Sequence, residues 1–239
     1  MKKEKFLKSI FIFFSVALLS FKLSGEKNCY SKDIAKYEKV FYVCSYGGSG
    51  STFLCEFLNR YGLSVHIHSR IPPNYLSSVR RIEQFDKYKR LSSIEIKKIK
   101  VIFIYRNPSW SQISRWRVDH FFNIGVLCKH SIFNYVKNGK DLLKYGEFFD
   151  NYVNKKINEN YQIIAINYHH LWDNLPEVFT ALDLPLEDIS KFPPRVEGSS
   201  SYLKQKPPEW VVEGLNKINA PLIKKIEEMP AVKVLGPYS

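Results

Sequence analysis

Glycines and hydroxyl side chains connect a predicted buried strand to a predicted helix near the start of the chain. Residues 46–52 read Tyr-Gly-Gly-Ser-Gly-Ser-Thr. Glycine lets the backbone bend closely around a ligand, successive amides can point inward, and the start of the helix carries partial positive charge. Ser51 and Thr52 add hydroxyl donors in the first helical turn. The pattern predicts a cradle for a phosphate or sulfate group; the alternative is a glycine-rich turn whose hydroxyls only cap the helix.

The cradle lacks the lysine of a Walker A loop. That pattern ends in Gly-Lys-Ser/Thr, whereas the residue before Ser51 is Gly50, and no lysine lies between Lys39 and Lys87. An ATPase or kinase of this class also needs a carboxylate for its metal ion, and we find none at a suitable position. The sequence therefore disfavours a P-loop phosphotransferase.

A second predicted strand, residues 100–105, supplies an arginine at its end. Arg106 leaves the strand, Pro108 turns the chain into another helix, and Ser114 follows along that helix. Arginine makes a permanent bidentate contact to a phosphate, and a serine hydroxyl can complete it. The carboxyl ends of parallel strands open on one crevice, where ligands bind. Two phosphate sites side by side predict a nucleotide that carries phosphates at two positions.

Taken together, these motifs resemble those of sulfotransferases that use 3′-phosphoadenosine 5′-phosphosulfate (PAPS). Residues 46–53 resemble the 5′-phosphosulfate loop of that family, and residues 101–108 with Ser114 resemble its 3′-phosphate motif. The remaining matches are residues 145–150 to a Tyr-Gly-x-aromatic-Phe segment, residues 167–171 to a Tyr-Glu-Asp-Leu element, and residues 175–185 to a helix followed by Leu-Gly-Leu-Pro. The five matches stand in family order within residues 39–188.

The resemblance implies a PAPS-dependent enzyme that transfers a sulfuryl group to an acceptor hydroxyl or amine without a metal ion. It leaves the acceptor open between a carbohydrate, a lipid, a small alcohol and a protein tyrosine. Carried over position by position, the donor-binding residues are Gly48, Ser49, Gly50, Ser51 and Thr52 at the 5′-phosphosulfate, Arg106 and Ser114 at the 3′-phosphate, and Tyr168 near the adenine.

The resemblance also supplies a candidate general base. Residues 65–72 stand where the family has a Lys-Thr-His segment, which makes His68 the base that takes the acceptor proton. Histidine suits this role because its ordinary pKa lies near neutrality. The other interpretation of His68 is an ordinary strand histidine with a backbone partner. His66 projects to the same side if the segment is extended, so it is the alternative base or takes the place of the family's lysine.

One departure from the family pattern lies in the cradle itself. Gly48 stands where the family has lysine or arginine. The change removes a positive charge from the leaving oxygen, where such charge usually contributes strongly to catalysis. His66, Arg70 or a lysine from elsewhere can substitute for it. A catalytically impaired homologue that binds the nucleotide or an anionic glycan is therefore the alternative function.

The elements around these motifs predict an α/β domain. Residues 39–45, 100–105 and 162–167 are short, apolar and rich in β-branched side chains, which is typical of buried strands. A predicted helix with Leu142, Leu143, Phe148, Phe149 and Val153 lies between the second and third. Strands separated by helices favour a parallel sheet. We expect residues 29–239 to form one three-layer sandwich with a central parallel sheet, and the resemblance implies a P-loop-like nucleotide-binding fold.

Composition and charge limit the partners. The 239 residues include 36 Lys and Arg against 23 Asp and Glu, for a net charge of +13, and 45% are hydrophobic. This excludes a disordered or collagen-like chain, and a basic surface favours anionic partners. Zinc-finger, helix-turn-helix and aromatic RNA-binding motifs are absent from the sequence, so we expect no nucleic-acid partner. The four cysteines have no metal-ligand spacing, so we expect no metal site.

Residues 1–28 are set apart as a signal peptide or short signal anchor. The first eight residues hold four lysines and one glutamate, and residues 9–21 form an uncharged run of 13. This order is typical of a secretory signal, although a membrane span needs about 20 apolar residues. We expect a protein of the secretory pathway or one anchored in the membrane through residues 9–21. The alternative is a buried N-terminal helix in a cytoplasmic protein.

Overall fold

A five-stranded sheet lies at the centre of the computed structural model, which describes residues 37–72, 98–117, 132–154, 161–195 and 207–236. The strands are β1 (Val40–Cys44), β2 (Leu63–Ile67), β3 (Ile99–Tyr105), β4 (Gln162–Asn167) and β5 (Val232–Leu235). Their order across the sheet is β2-β1-β3-β4-β5. The first four are parallel to their neighbours, and β5 runs antiparallel to β4.

Helices cover both faces of this sheet. They are α1 (Ser51–Leu58), α2 (Pro108–Arg117), α3 (Ile132–Asn138), α4 (Tyr145–Val153), α5 (Leu175–Ala181) and α6 (Glu209–Glu227). Side chains alternate along β1, so that Tyr42 packs in a core with α2, α3, α4 and α6, while Phe41 and Val43 pack in a second core with α1 and α5. The expected α/β architecture with helices on both sides of a sheet is therefore confirmed. Both faces of β1 are buried, which explains its continuously apolar sequence.

The expected parallel arrangement is confirmed for β1 to β4, and the edge strand β5 adds an antiparallel pairing that was not predicted. Its four residues, VKVL, are too few for a strand period to be recognised. The predicted helix between the second and third strands is also too long, because Leu142 and Leu143 precede α4. The predicted signal or anchor, residues 1–28, lies outside the described residues. Among those that are described, no helix has both the length and the apolar character of a membrane span.

Candidate functional site

The loop between β1 and α1, residues 45–50, bends through three glycines with positive φ. Gly47, Gly48 and Gly50 have φ angles of 87°, 66° and 77°, a region that favours glycine. A Cβ at Gly48 would lie 2.6 Å from the carbonyl oxygen of Ser111, and one at Gly50 would lie 2.4 Å from the ring of Tyr168. The loop is therefore packed closely against α2 on one side and against the end of β4 on the other.

Tyr46 ties this loop to the end of β3. Its hydroxyl donates to the carbonyl of Arg106 and accepts the Arg106 N–H at 3.2 Å. Burial raises the pKa of Tyr46 well above its usual value, so the hydroxyl keeps its proton. The ring stacks on Tyr145 with 4.5 Å between centroids, and the Tyr145 hydroxyl donates to the Tyr46 carbonyl at 3.2 Å. Tyr46 therefore connects the end of β1 to the end of β3, and Tyr145 of α4 packs against it.

Arg106 carries a positive charge into this junction. Its Nη1 donates to the Gly48 carbonyl at 3.1 Å, and its Cζ lies 5.5 Å from the centre of the Tyr168 ring. Burial lowers the pKa of the guanidinium, yet arginine stays charged at neutral pH. Within the described part of the chain, no carboxylate forms an ion pair with it, and its buried Nε has no hydrogen-bond partner. Among the described residues, therefore, no carboxylate neutralises the positive charge that Arg106 brings to this junction.

A chain of hydroxyl groups runs from the loop to β2. The Gly47 N–H donates to Ser45 Oγ at 3.1 Å, and Ser45 Oγ donates to Ser51 Oγ at 2.9 Å. Ser51 Oγ lies 2.7 Å from Nε2 of His66. His66 is opposite Val43 in the register of β2 and β1, which places it on the α1 side of the sheet. The first residue of α1 is therefore hydrogen-bonded to a histidine of the neighbouring strand.

His68 lies beside the same loop. Its Nδ1 is 2.9 Å from the carbonyl oxygen of Ser45, and its ring is 4.4 Å from that of His66 between centroids. A carbonyl only accepts hydrogen bonds, so Nδ1 carries the hydrogen and Nε2 of the neutral ring carries the basic lone pair. The side chain is exposed at the end of β2. A basic nitrogen of the neutral His68 ring therefore lies near the glycine loop.

The α2 hydroxyl that reaches the loop is one that the sequence did not single out. Ser111 Oγ donates to the Gly47 carbonyl and lies 3.4 Å from Ser49 Oγ. Ser114, the predicted partner of Arg106, lies about one turn further along α2 at a half-buried position and takes no part in the described contacts of this junction. Ser114 was chosen because its spacing from Arg106 matches the 3′-phosphate motif. Which face of α2 contacts the loop depends instead on how the helix packs, and that face carries Ser111.

Arg115 was also missed, and it lies one helical turn beyond Ser111. Its guanidinium is buried under the loop, where Nη1 donates to the Tyr46 carbonyl at 3.4 Å. Residues four apart on a helix share a face, so identifying Ser111 would also have indicated Arg115. Of the predicted loop residues, Ser49 and Ser51 are buried and Thr52 is exposed.

Aromatic and imidazole side chains follow directly after β4 and pack beside the glycine loop. The Tyr168 ring packs edge to face on Trp172, with 5.2 Å between centroids, and covers Gly50. Burial lowers the pKa of the adjacent His169 to about 4, and the charges of Arg106 and Arg195 add to the effect. His169 is therefore neutral at pH 7. The described residues contain no group of three or more His, Cys, Asp or Glu side chains that could hold a metal ion.

We expect His169 to make stability depend on pH. Its folded pKa of about 4 lies below the ordinary value of 6.5, so the unfolded chain binds the additional proton between these values. The free energy of unfolding should therefore fall as the pH drops through this window. Urea unfolding at about pH 7 and about pH 5 should show a larger loss for the natural protein than for His169→Gln. Equal losses in the two proteins would contradict the role of His169.

Searches of protein families, of curated proteins and of solved structures find no match to this chain. Functional inference therefore rests on the site itself. That site combines backbone amides and hydroxyls of a glycine loop, two arginines and two histidines at the carboxyl ends of parallel strands. Such a site is suited to an anion, because it brings backbone amides and hydroxyl groups beside Arg106, with which no described carboxylate forms an ion pair.

Proposed function

We propose that this protein is a sulfotransferase that moves a sulfuryl group from PAPS to an acceptor hydroxyl or amine, on a P-loop-like fold. The observation that carries the proposal is that Arg106 is half-buried and that no carboxylate among the described residues forms an ion pair with it. A partly buried guanidinium without a carboxylate partner is costly unless an anion binds beside it. Its contact with the Gly48 carbonyl puts this charge at the edge of the glycine loop. Two anionic groups of one ligand can thus bind side by side.

In this proposal the loop holds the 5′-phosphosulfate. Ser49, Ser51 and Thr52 supply hydroxyl groups, and the backbone amides of the loop and the first turn of α1 add partial positive charge. Arg106 holds the 3′-phosphate, with Ser111 or Ser114 of α2 beside it. The adenine lies near Tyr168, whose ring faces Arg106. The donor is thereby fixed at both ends before reaction.

His68 acts as the general base. Its Nε2 takes the proton of the acceptor hydroxyl while the acceptor oxygen attacks sulfur in line with the leaving group. The new bond joins the acceptor oxygen to sulfur. The sulfur–oxygen bond to the 5′-phosphate breaks, and its electron pair leaves on the phosphate oxygen to give 3′-phosphoadenosine 5′-phosphate. The hydrogen bond from Nδ1 to the Ser45 carbonyl orients the ring for this step.

The acceptor belongs to the same proposal. A carbohydrate, a lipid or a small alcohol provides the required hydroxyl, and the net charge of +13 favours an anionic glycan. Residues 1–28 direct the chain to the secretory pathway or tether it to a membrane. A second candidate function is binding of the nucleotide or of an anionic glycan without turnover. Gly48 favours it, since neither charge nor side chain is present at that position.

Calorimetric titration of the full chain with 3′-phosphoadenosine 5′-phosphate tests the proposal. We expect micromolar binding, much weaker binding of ADP and of ATP with magnesium, and a loss of about 30-fold in Arg106→Ala, because a charged hydrogen bond is removed. Arg60→Ala is the matched control, since it removes the same charge from an exposed position at the end of α1. Binding that is equal for ATP, or equal in the two variants, would contradict the proposal.

A further inference from the structure

The glycine loop has no room for a cation of its own at residue 48. Any other residue at this position would need a backbone φ of 66°, and its Cβ would lie 2.6 Å from the Ser111 carbonyl oxygen. The arginines lie on the other side of the loop, where Arg106 contacts the Gly48 carbonyl and Arg115 contacts the Tyr46 carbonyl. The side of the loop where α1 begins faces β2 instead. The described imidazoles there are His66 and His68, and His66 is the one that contacts Ser51 of α1.

We propose that His66 takes up a proton when an anion binds at the loop and supplies the positive charge there through Ser51. This inference rests on the proposed anion site. The hydrogen bonds that join Ser45, Ser51 and His66 explain how the proton and the anion are coupled. Ser45 donates to Ser51 Oγ, so when Nε2 of His66 accepts, the single hydrogen of Ser51 is directed to His66.

Protonation of His66 reverses this last hydrogen bond. An imidazolium carries hydrogen on both nitrogens, so Nε2 then donates to Ser51 Oγ. The hydroxyl hydrogen of Ser51 turns to the bound anion, and the charge of His66 lies one hydroxyl group away from it. Anion and proton therefore favour each other's binding, and the coupling is reciprocal. His66 is a positioning residue, because it acts on the anion through Ser51.

Among the described residues, the titratable groups near His66 are compatible with one proton shared between His66 and His68. On β2, the ring of His68 is 4.4 Å away, and two imidazolium rings so close repel each other. A protonated His66 therefore keeps His68 neutral, as a general base must be. On α1, which packs against β2, the titratable side chains are the buried Cys55 and the exposed Glu56. On β1, the residue in register with His66 is Val43, which does not titrate.

Proton uptake on binding is the measurement. We would titrate the full chain with inorganic pyrophosphate and with 3′-phosphoadenosine 5′-phosphate, in buffers of different ionisation enthalpy. The natural protein should take up more protons than His66→Asn, and comparison of the two proteins cancels the ligand's own titration. The affinity of the natural protein for each of the two ligands should rise about tenfold from about pH 8 to about pH 6. His66→Lys, a fixed cation, should bind tightly at both pH values. Thermal unfolding would verify that both variants fold.

The outcomes of these titrations distinguish the role of His66 from the sulfotransferase proposal. Proton uptake that is unchanged in His66→Asn, or affinity that depends on pH equally in His66→Lys, overturns the role of His66 and leaves the sulfotransferase proposal in place. Uptake dependent on His66 with pyrophosphate, together with no binding of the nucleotide, supports His66 and overturns the sulfotransferase. Binding of neither probe overturns both.

Discussion

His68→Asn is expected to slow sulfuryl transfer about 1000-fold while the affinity for 3′-phosphoadenosine 5′-phosphate stays within about twofold. Asparagine retains a polar group near the Ser45 carbonyl but has no nitrogen that can accept a proton near neutral pH. The base is needed only when the acceptor hydroxyl attacks, so donor binding does not depend on it. Transfer would be measured with donor carrying radiolabelled sulfur and with a monosaccharide, a long-chain alcohol and a phenol as acceptors.

His170→Asn provides the matched control for this measurement. His170 is an exposed histidine beside the same crevice, and the proposed mechanism gives it no role. Its replacement should leave both transfer and donor binding unchanged. The assignment of His68 fails if the two variants transfer at equal rates, or if His68→Asn loses donor affinity as much as it loses rate.

Gly48→Lys is expected to destabilise the protein by about 3 kcal/mol and not to increase transfer. The sulfotransferase motif that this loop resembles has a lysine or arginine at this position, so by that resemblance the substitution would add a cation and increase transfer. The structure predicts the opposite. A φ of 66° is strained for lysine, and the Cβ would meet backbone of α2, which cannot move as a side chain does. Displacing the loop would also break its contact with Arg106.

Gly139→Lys distinguishes the backbone strain of a positive φ from the clash of the Cβ with α2. Gly139 has a φ of 70° and nothing within 4 Å of its Cβ position, so it shares the backbone strain and lacks the clash. This variant should lose only about 1 kcal/mol. Urea unfolding of both variants measures the difference. Equal losses would mean that the loop accommodates a side chain at residue 48 by moving, and increased transfer in Gly48→Lys would contradict the prediction directly.

The fold was predictable where burial alone decides structure. The strand β4 spans the predicted residues, β1 is one residue shorter than predicted at each end, and β3 begins one residue earlier. These strands are buried on both faces, so their sequences are apolar except near their ends. The edge strands are only partly buried. The sequence of β2, LSVHI, alternates apolar and polar residues, a strand pattern that was not used, and β5, VKVL, has too few residues for a period to be recognised.

The site was predictable in its contiguous parts only. The glycine loop and Arg106 follow strands directly, so sequence order indicates their position. Ser111 and Arg115 reach the loop because one face of α2 packs under it, and no local pattern reveals which face that is. The sequence itself shows that residue 48 is glycine, whereas the motif that it resembles has lysine or arginine. The reason that no side chain fits there, the Ser111 carbonyl, appears only in three dimensions.

The attachment of Tyr46 has a consequence for how the domain folds. Its contacts with Arg106 and Tyr145 join residues 60 and 99 positions apart in the sequence. Contacts of such separation form slowly, because the intervening chain must first lose its freedom to close the loop. The glycine loop therefore acquires its final conformation only after β3 and α4 have docked. We expect the amides of the loop to gain hydrogen-exchange protection later during refolding than the amides of β1.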